Sequence, residues 1–303
     1  MKQTILLTGS RGLIGSTLAP KLSEAGYDIR QFDIRAEQAA HRGDVLDRHT
    51  LFHAVGGCCG IIHLAAVSRV VWGEREAELC VGTNVGGTKN VIGAALEAPA
   101  RPWILLASSR EVYGQPEYLP ATEDTPFRPM NVYARSKVAA ERALGEARGK
   151  GARTATLRFS NVYGSTADHA DRVVPAFARA AAQGTTIRLE GAEHTFDFTH
   201  VDDVARGVLS VVEHLERGET RLPPLHFVSG IPTTLIALAQ LAMELGGGKL
   251  AVERAPSRSY DVARFYGDPS RAQGLLSWRP RVSLRDGLGR LIDQYRSFCR
   301  EAS

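Results

Sequence analysis

The segment Thr8-Gly9-Ser10-Arg11-Gly12-Leu13-Ile14-Gly15 sets the architecture of this chain. A short apolar run at 4–7 precedes it, and beyond it Ile14, Leu18 and Leu22 recur four residues apart, the helical period. Gly26 stands where that helix should stop. Gly9, Gly12 and Gly15 are spaced three and three. Glycine is needed there because the turn is tight, the backbone approaches a pyrophosphate, and the helix packs close to the sheet. The first-turn amides, here of Leu13 and Ile14, offer N–H groups to the anion. A glycine motif alone is weak evidence. Between a strand and a helix, at the head of an alternating chain, it reads as a dinucleotide-binding loop rather than a turn without ligand.

The alternation continues outward. Strands are expected at 28–33, 60–64, 103–107 and 154–159, and helices at 47–55, 77–97 and 133–148. Strands at this spacing, separated by helices, make βαβ units and a parallel sheet. After about residue 163 the rhythm changes, with helices expected at 172–183, 201–216, 233–245 and 284–298 and a short strand at 186–189. The reading is an α/β fold: a Rossmann-type doubly wound parallel sheet with a smaller C-terminal α/β substrate lobe. The dinucleotide-binding domain is expected over 1–164, with 195–226 returning to it, and the substrate-binding lobe mainly over 165–303.

Composition narrows the class. The 303 residues make one large domain or two ordinary ones. A content of 44% hydrophobic and 23% charged residues excludes disordered, collagenous and coiled-coil chains. The 37 Lys and Arg against 33 Asp and Glu leave +4 with no basic run, so no nucleic-acid partner is expected. Cys58, Cys59, Cys80 and Cys299 show no CxxC spacing. They read as buried small side chains in a reducing compartment, not as a zinc or disulfide set. No apolar run approaches the ~18 residues of a membrane helix, and the N-terminal run reads as a strand rather than a signal peptide. A soluble, cytoplasmic protein is expected, with no membrane partner and no metal.

Asp33 ends the second expected strand, eighteen residues beyond Gly15. A carboxylate there accepts hydrogen bonds from the adenosine ribose and repels a 2′-phosphate, which favours NAD over NADP. Arg11 and Arg35 lie nearby in sequence and argue the other way. Asp44 has two compatible readings: reach to the adenine amino group, or a turn aspartate capping the helix that begins near Asp47.

Further motifs follow: HLAA at 63–66, NVGGT at 84–88, SSREVYG at 108–114, YARSK at 133–137, RFSNVYG at 158–164 and DFTHVDD at 197–203. With TGSRGLIG at 8–15, and in this order, they resemble the extended short-chain dehydrogenase/reductase family, in its nucleotide-sugar epimerase and dehydratase branch, over most of the chain. The resemblance implies NAD as cofactor, with Ile34, Val45, Leu64, Ala65, Ala66 and Ala107 beside the glycine loop, Asp33 and Asp44. It implies Ser109, Tyr133 and Lys137 as the catalytic group, with Tyr133 and Lys137 also on the cofactor, and Asn84 supporting the site from behind. It also implies a homodimer through the helices at 77–97 and 133–148.

The residues fit that chemistry on their own terms. Tyr133 and Lys137 are four apart on an expected helix and face the same way. A tyrosine is mostly neutral at pH 7, and a nearby ammonium favours its phenolate. Tyr133 then takes a proton from a sugar hydroxyl while hydride leaves the same carbon. Ser109 is expected to hydrogen-bond the oxygen, and the resemblance implies that Lys137 also holds the nicotinamide ribose. YxxxK is common by chance. Ser109 at a strand end, twenty-four residues upstream, sets it apart from an exposed lysine beside a packed tyrosine.

On the substrate side the resemblance places Asn161 and Arg264 on the diphosphate of a nucleotide sugar, with a UDP-sugar favoured. A guanidinium fork suits phosphate oxygens, and a solvated surface arginine is the plain alternative for Arg264. Asp197, Asp202 and Asp203 read as structural. Many relatives carry arginine immediately before the DF of this signature; this chain has Phe196, with Arg172 or His194 as possible replacements. His194 and His200 are not at metal spacing and read as packed or surface histidines. The 4,6-dehydratases carry aspartate where this chain has Arg110, which cannot donate that proton, so their reaction is disfavoured. Glu111 stands where related decarboxylases and a 5,6-dehydratase use a glutamate in the lyase step; alternatively it pairs with Arg110. The expected function is an NAD-dependent nucleotide-sugar 4-epimerase with a transient 4-keto intermediate and tightly bound NAD. The alternatives are a lyase using Glu111, and a non-catalytic NAD-binding regulatory protein on the same fold.

Overall fold

A computed structural model of the protein describes residues 2–248, 251–256 and 260–301. It divides into two compact units, Met1–Gly114 with Pro126–Phe159 and Ala205–Leu225, and Gln115–Thr125 with Ser160–Val204 and His226–Ser303.

In the first unit β1 (Thr4–Thr8), β2 (Asp28–Phe32), β3 (Gly60–His63), β4 (Trp103–Ser109) and β5 (Thr154–Phe159) lie in the order β2-β1-β3-β4-β5. The short β9 (Leu225–Phe227) completes the six-stranded sheet where the chain leaves the unit. The pairings β1–β2, β1–β3, β3–β4 and β4–β5 are parallel. This is the α/β sheet the sequence implied. β3, β4 and β5 are buried along their whole length, because a parallel sheet is covered on both faces and its inner strands become continuous apolar runs. Gly60 leaves room for its neighbour: a Cβ there would lie 2.0 Å from the Trp103 ring on the adjacent strand.

The covering helices are α1 (Leu13–Glu24), α2 (Arg48–Val55), α5 (Gly87–Glu97) and α6 (Val132–Gly149). Leu6, Leu51, Val55, Ile61, Val91, Ile104, Leu106 and Leu144 form one buried cluster. α1 buries Leu13, Leu18 and Leu22 and is followed by Gly26 at φ +97°, a left-handed conformation that glycine adopts without steric cost. The cap of α2 is Asp47 and not Asp44: its carboxylate accepts from the N–H groups of His49 and Thr50.

The helix expected over 77–97 is three pieces: α4 (Ala77–Val81), a π-helical turn at Gly82–Gly86, and α5. Gly82, Gly86 and Gly87 hold a regular helix weakly, and the π turn carries Asn84, which is only 1% exposed. α3 (Val70–Arg75) was not expected; six residues are too few to display a period.

The second unit has a three-stranded sheet of β10 (Pro232–Thr234), β8 (Thr195–His200) and β6 (Asn161–Tyr163), and a parallel pair of β11 (Val252–Ala255) with β7 (Ile187–Glu190). α7 (Val173–Gln183), α9 (Leu235–Gly246) and α11 (Leu284–Glu301) pack over Phe177, Leu238, Leu288 and Leu291. α9 starts later than expected because Thr234 caps it, accepting from the Ala237 N–H at 3.2 Å. α8 (Val201–Glu216) begins in this unit and continues into the first, and α10 (Ser270–Leu276) precedes α11. Asp197 is fully buried, and its carboxylate accepts from the N–H groups of Ser229, Gly230 and Gly267 and from the Ser229 hydroxyl. Asp203 accepts from the N–H groups of Arg281 and Val282, both at 2.9 Å. Both aspartates hold loops.

Cys58 and Cys80 are buried and Cys59 is half-buried; the side chain of Cys299 lies outside the described residues. No helix among the described residues is long and apolar enough to cross a membrane.

Candidate active site

The glycine loop is built at the end of β1. Gly9 has φ +70°, and a Cβ on it would lie 2.6 Å from the Ala65 nitrogen. A Cβ on Gly15 would lie 2.3 Å from the Gly9 carbonyl oxygen. Gly12 is the N-cap of α1, no side chain caps it, and the first turn carries no acid. The amides of Leu13 and Ile14 therefore open this helix towards an anion. Ser10 is 1% exposed, and its hydroxyl oxygen has no hydrogen-bond partner among the described residues. A close-packed loop, an uncapped helix start and an orphaned buried hydroxyl fit a pyrophosphate group.

Asp33 lies just past β2, 6% exposed, and accepts from the N–H groups of Arg11 at 2.9 Å and Arg35 at 2.8 Å. The carboxylate is thereby fixed at the strand end, where a ribose is expected. Ile34 is 66% exposed. Asp44 is exposed and closes its own turn by accepting from the Leu46 N–H at 2.9 Å. Val45 is buried against Gly87, where a Cβ would lie 2.6 Å from its methyl group. Leu64, Ala65 and Ala66 are half-buried, and the Leu64 and Ala65 N–H groups donate to the Thr8 carbonyl and hydroxyl.

Hydrogen-bond directions assign the tautomer of His63. Thr88 gives its hydroxyl proton to the Asn84 carbonyl at 2.6 Å, so its oxygen accepts from His63 Nε2–H at 3.1 Å. His63 Nδ1 then accepts from the Thr8 hydroxyl at 2.8 Å. The chain runs Ala65, Thr8, His63, Thr88, Asn84 and ties the glycine loop to the π turn. Burial, helped by the Lys137 charge, pushes the imidazole pKa down to about 3, which keeps the ring neutral as this pattern requires.

Tyr133 and Lys137 share one face of α6, with Lys137 Nζ 5.8 Å from the centre of the Tyr133 ring. Lys137 is 5% exposed and donates to the Ala107 carbonyl at 2.9 Å. Burial lowers its pKa to about 8, against the opposing fields of Cys80 and Glu141. Tyr133 packs under Gly73 of α3, where a Cβ would lie 3.2 Å from the Tyr133 nitrogen. Ser109 ends β4, and its oxygen accepts from the Glu111 N–H at 3.2 Å. Glu111 is buried; one oxygen pairs with Arg110 at 2.8 Å and the other accepts from the Asn131 amide at 3.0 Å.

Three supports escaped the sequence reading. Asn131 caps α6 through the Ala134 N–H at 2.8 Å while holding Glu111; an asparagine two residues before the tyrosine of YxxxK was its signal. Ser136 donates to the Tyr133 carbonyl at 2.7 Å and accepts from Asn84 at 2.8 Å. Asn84 also pairs with both backbone groups of Val67, at 2.8 and 3.1 Å. Glu141, one turn beyond Lys137, accepts from Ser108 at 2.5 Å and pairs with Arg158 at 2.7 Å. Arg158 in turn donates to the Tyr113 hydroxyl at 2.8 Å. These bonds fix α6 against the π turn, against β4, which carries Ser109, and against β5.

In the second unit Asn161 opens β6, half-buried, opposite Phe198. Arg264 is exposed, and its backbone bridges to Thr195. Gln115 holds it, accepting from the Ala263 and Arg264 N–H groups at 3.1 and 3.3 Å and donating to the Arg264 carbonyl at 3.1 Å. Phe196 packs edge-on against His194 and Phe198, and Arg172 is paired with Asp168 at 3.5 Å. His200 is buried beside Tyr163.

The profile of the NAD dependent epimerase/dehydratase family matches residues 5–224. UDP-glucuronic acid decarboxylase 1 of Arabidopsis thaliana is 28% identical, over 97% of this chain and 70% of its own length. UDP-glucose 4-epimerase of Mycolicibacterium smegmatis is 29% identical, over 96% of this chain and 98% of its own. The crystal structure of a UDP-glucose 4-epimerase from Thermotoga maritima, with UDP-glucose, superposes with a TM-score of 0.91 at 25% identity, over 98% of this chain and 100% of that one. The Rossmann-type fold and these similarities define an NAD-dependent enzyme of the extended short-chain dehydrogenase/reductase class. The chain belongs to the NAD dependent epimerase/dehydratase family.

Proposed function

We propose that the protein is a nucleotide-sugar 4-epimerase that takes a UDP-sugar and works with tightly bound NAD. The observation that carries this reading is the setting of Glu111. A lyase of the kind considered needs that carboxylate to exchange a proton with the substrate, yet one oxygen is paired with Arg110 and the other with Asn131. The Ser109, Tyr133 and Lys137 set needs no further acid for epimerisation.

NAD bound there would supply the hydride chemistry at C4. Tyr133 removes the O4 proton and later returns it, with Lys137 favouring its phenolate and Ser109 hydrogen-bonding O4. The 4-keto sugar turns over and is reduced on its other face. Gly9, Gly12, Leu13, Ile14 and Gly15 hold the pyrophosphate, and Asp33 the adenosine ribose. Ile34, Asp44 and Val45 take the adenine side, and Leu64, Ala65, Ala66 and Ala107 line the remainder. Asn161 and Arg264 contact the substrate diphosphate. The dinucleotide-binding domain is 1–164 with 195–226 returning to it, the substrate lobe lies mainly in 165–303, and a cytoplasmic homodimer is the working form.

A second reading, the Glu111 lyase, is favoured by the similarity to a UDP-glucuronic acid decarboxylase. One experiment separates them: purified protein and Glu111→Gln are incubated with UDP-glucose, UDP-galactose, their N-acetyl forms and UDP-glucuronate, and products are separated by chromatography and identified by mass and proton NMR. An isomer of unchanged mass from both proteins supports the epimerase. A product lighter by water or carbon dioxide, lost in Glu111→Gln, replaces it with the lyase. Silence across the panel favours a binding role.

A further inference from the structure

The outer face of α2 carries a pair of imidazoles that the cofactor and catalytic readings leave unused. We propose that His49 and His53 form a binding site for a divalent transition-metal ion of the zinc, nickel and copper class. The two residues are one helical turn apart, and both side chains are exposed. Their Nε2 atoms stand 3.3 Å apart, with ring centroids 4.6 Å apart and the ring planes at 70°. Zinc binds histidine nitrogen at about 2.0–2.1 Å in tetrahedral geometry, which sets two such ligands about 3.3–3.4 Å apart. The observed separation is that tetrahedral edge. In the metal-free chain the same approach lets one ring nitrogen hydrogen-bond the other, so the two Nε2 atoms already face each other across the position an ion would take.

The surroundings accept a cation. Asp47 caps the same helix, and its carboxylate interacts electrostatically with His49. Arg48, between them in sequence, is paired with Glu97 of α5 at 3.9 Å. No group of three His, Cys, Asp or Glu side chains set for a metal occurs among the described residues, so water completes the coordination shell. Two imidazoles select the ion: nitrogen ligands suit zinc, nickel and copper, whereas magnesium and calcium prefer oxygen. α2 has eight residues, too short to be helical on its own. An ion clipping position 49 to position 53 binds the helix in preference to the unfolded segment and stabilises the folded chain by mass action.

The test is calorimetric titration of zinc chloride and nickel chloride into tag-free protein, with magnesium chloride as control. Wild type, His49→Ala, His53→Ala and the double variant are compared, and Tm is followed in parallel. Wild type should take one ion per chain at this site, and removing either imidazole should weaken binding about 100-fold, the loss of one arm of a two-point contact. Tm should rise with zinc or nickel in wild type, stay flat in the double variant, and ignore magnesium. Equal affinity and stoichiometry in wild type and the double variant, or no zinc or nickel binding by wild type, overturns the proposal. Far-UV circular dichroism of the variants reports folding; should a single alanine variant unfold, His49→Gln and His53→Gln carry the same comparison.

Discussion

Replacing Lys137 by methionine should remove activity yet leave the protein as stable as wild type, or more stable, at neutral pH. Lys137 is 5% exposed, and burial lowers its pKa from 10.5 to about 8. A displacement of this size corresponds to about 3 kcal/mol. Between about pH 8 and 10.5 the unfolded chain keeps a proton at this lysine that the folded chain has released, so stability rises with pH across that window. Below about pH 8 both states hold the proton, and the folded state bears the whole penalty of about 3 kcal/mol. Methionine removes the charge at similar volume, but it leaves the Ala107 carbonyl without its 2.9 Å partner, at a cost of about 1–3 kcal/mol. The net effect near pH 7 is therefore between zero and about 2 kcal/mol in favour of Lys137→Met, up to about 4 °C in Tm. Urea unfolding of both proteins, stripped of cofactor and measured from about pH 7 to about pH 10, reads the difference, and ionisations distant from Lys137 cancel in it. The difference between variant and wild type should move by about 2.5 kcal/mol in favour of wild type across that range, reversing the variant's advantage. A difference that stays constant, or grows with pH, refutes the account of this lysine.

Three further outcomes are expected from the geometry. Gly15→Ala should weaken NAD binding about tenfold or more, because its Cβ meets the Gly9 carbonyl oxygen at 2.3 Å; titration followed by nicotinamide-linked fluorescence quenching checks it. Asp197→Ala should cost about 3–5 kcal/mol in chemical denaturation, since the N–H groups of Ser229, Gly230 and Gly267 lose a buried acceptor. Gln115→Ala should raise KM for the nucleotide sugar about 5–30-fold with kcat changed less than about twofold. Gln115→Glu should act in the same direction, because a carboxylate cannot donate to the Arg264 carbonyl as the amide does.

What could be read beforehand was whatever repeats or punctuates. The parallel strands announced themselves as apolar runs, and β5 and α8 end where their patterns end. The glycine loop was legible because tight approach excludes any other residue at Gly9 and Gly15. The π turn was hidden because NVGGT keeps the apolar rhythm of a helix while its glycines weaken it, and only tertiary bonds from Asn84 to Val67 and Ser136 reveal the extra residue. β6, β9 and β10, three residues each, are too short for a period of two to show. Glu111 illustrates the same limit at the site. Its pairing with Arg110 was one of two open readings, whereas its bond to Asn131 spans twenty residues and belongs to the fold alone. The spacing of His49 and His53 was present in the sequence, but the approach of their nitrogens depends on side-chain torsions that spacing does not set.

The central claim is that the protein moves a hydride from C4 of a nucleotide sugar and returns it to the opposite face, with Tyr133 handling the O4 proton. The most direct measurement uses the UDP-sugar identified as substrate, deuterated at C4, with wild type and Tyr133→Phe, and resolves the products by mass and by proton NMR. The account predicts a C4 epimer that retains the deuterium at C4, with turnover reduced about 10²–10⁴-fold in Tyr133→Phe. An epimer that has exchanged its deuterium with solvent, a product lighter by carbon dioxide or water, or undiminished turnover in Tyr133→Phe would contradict it.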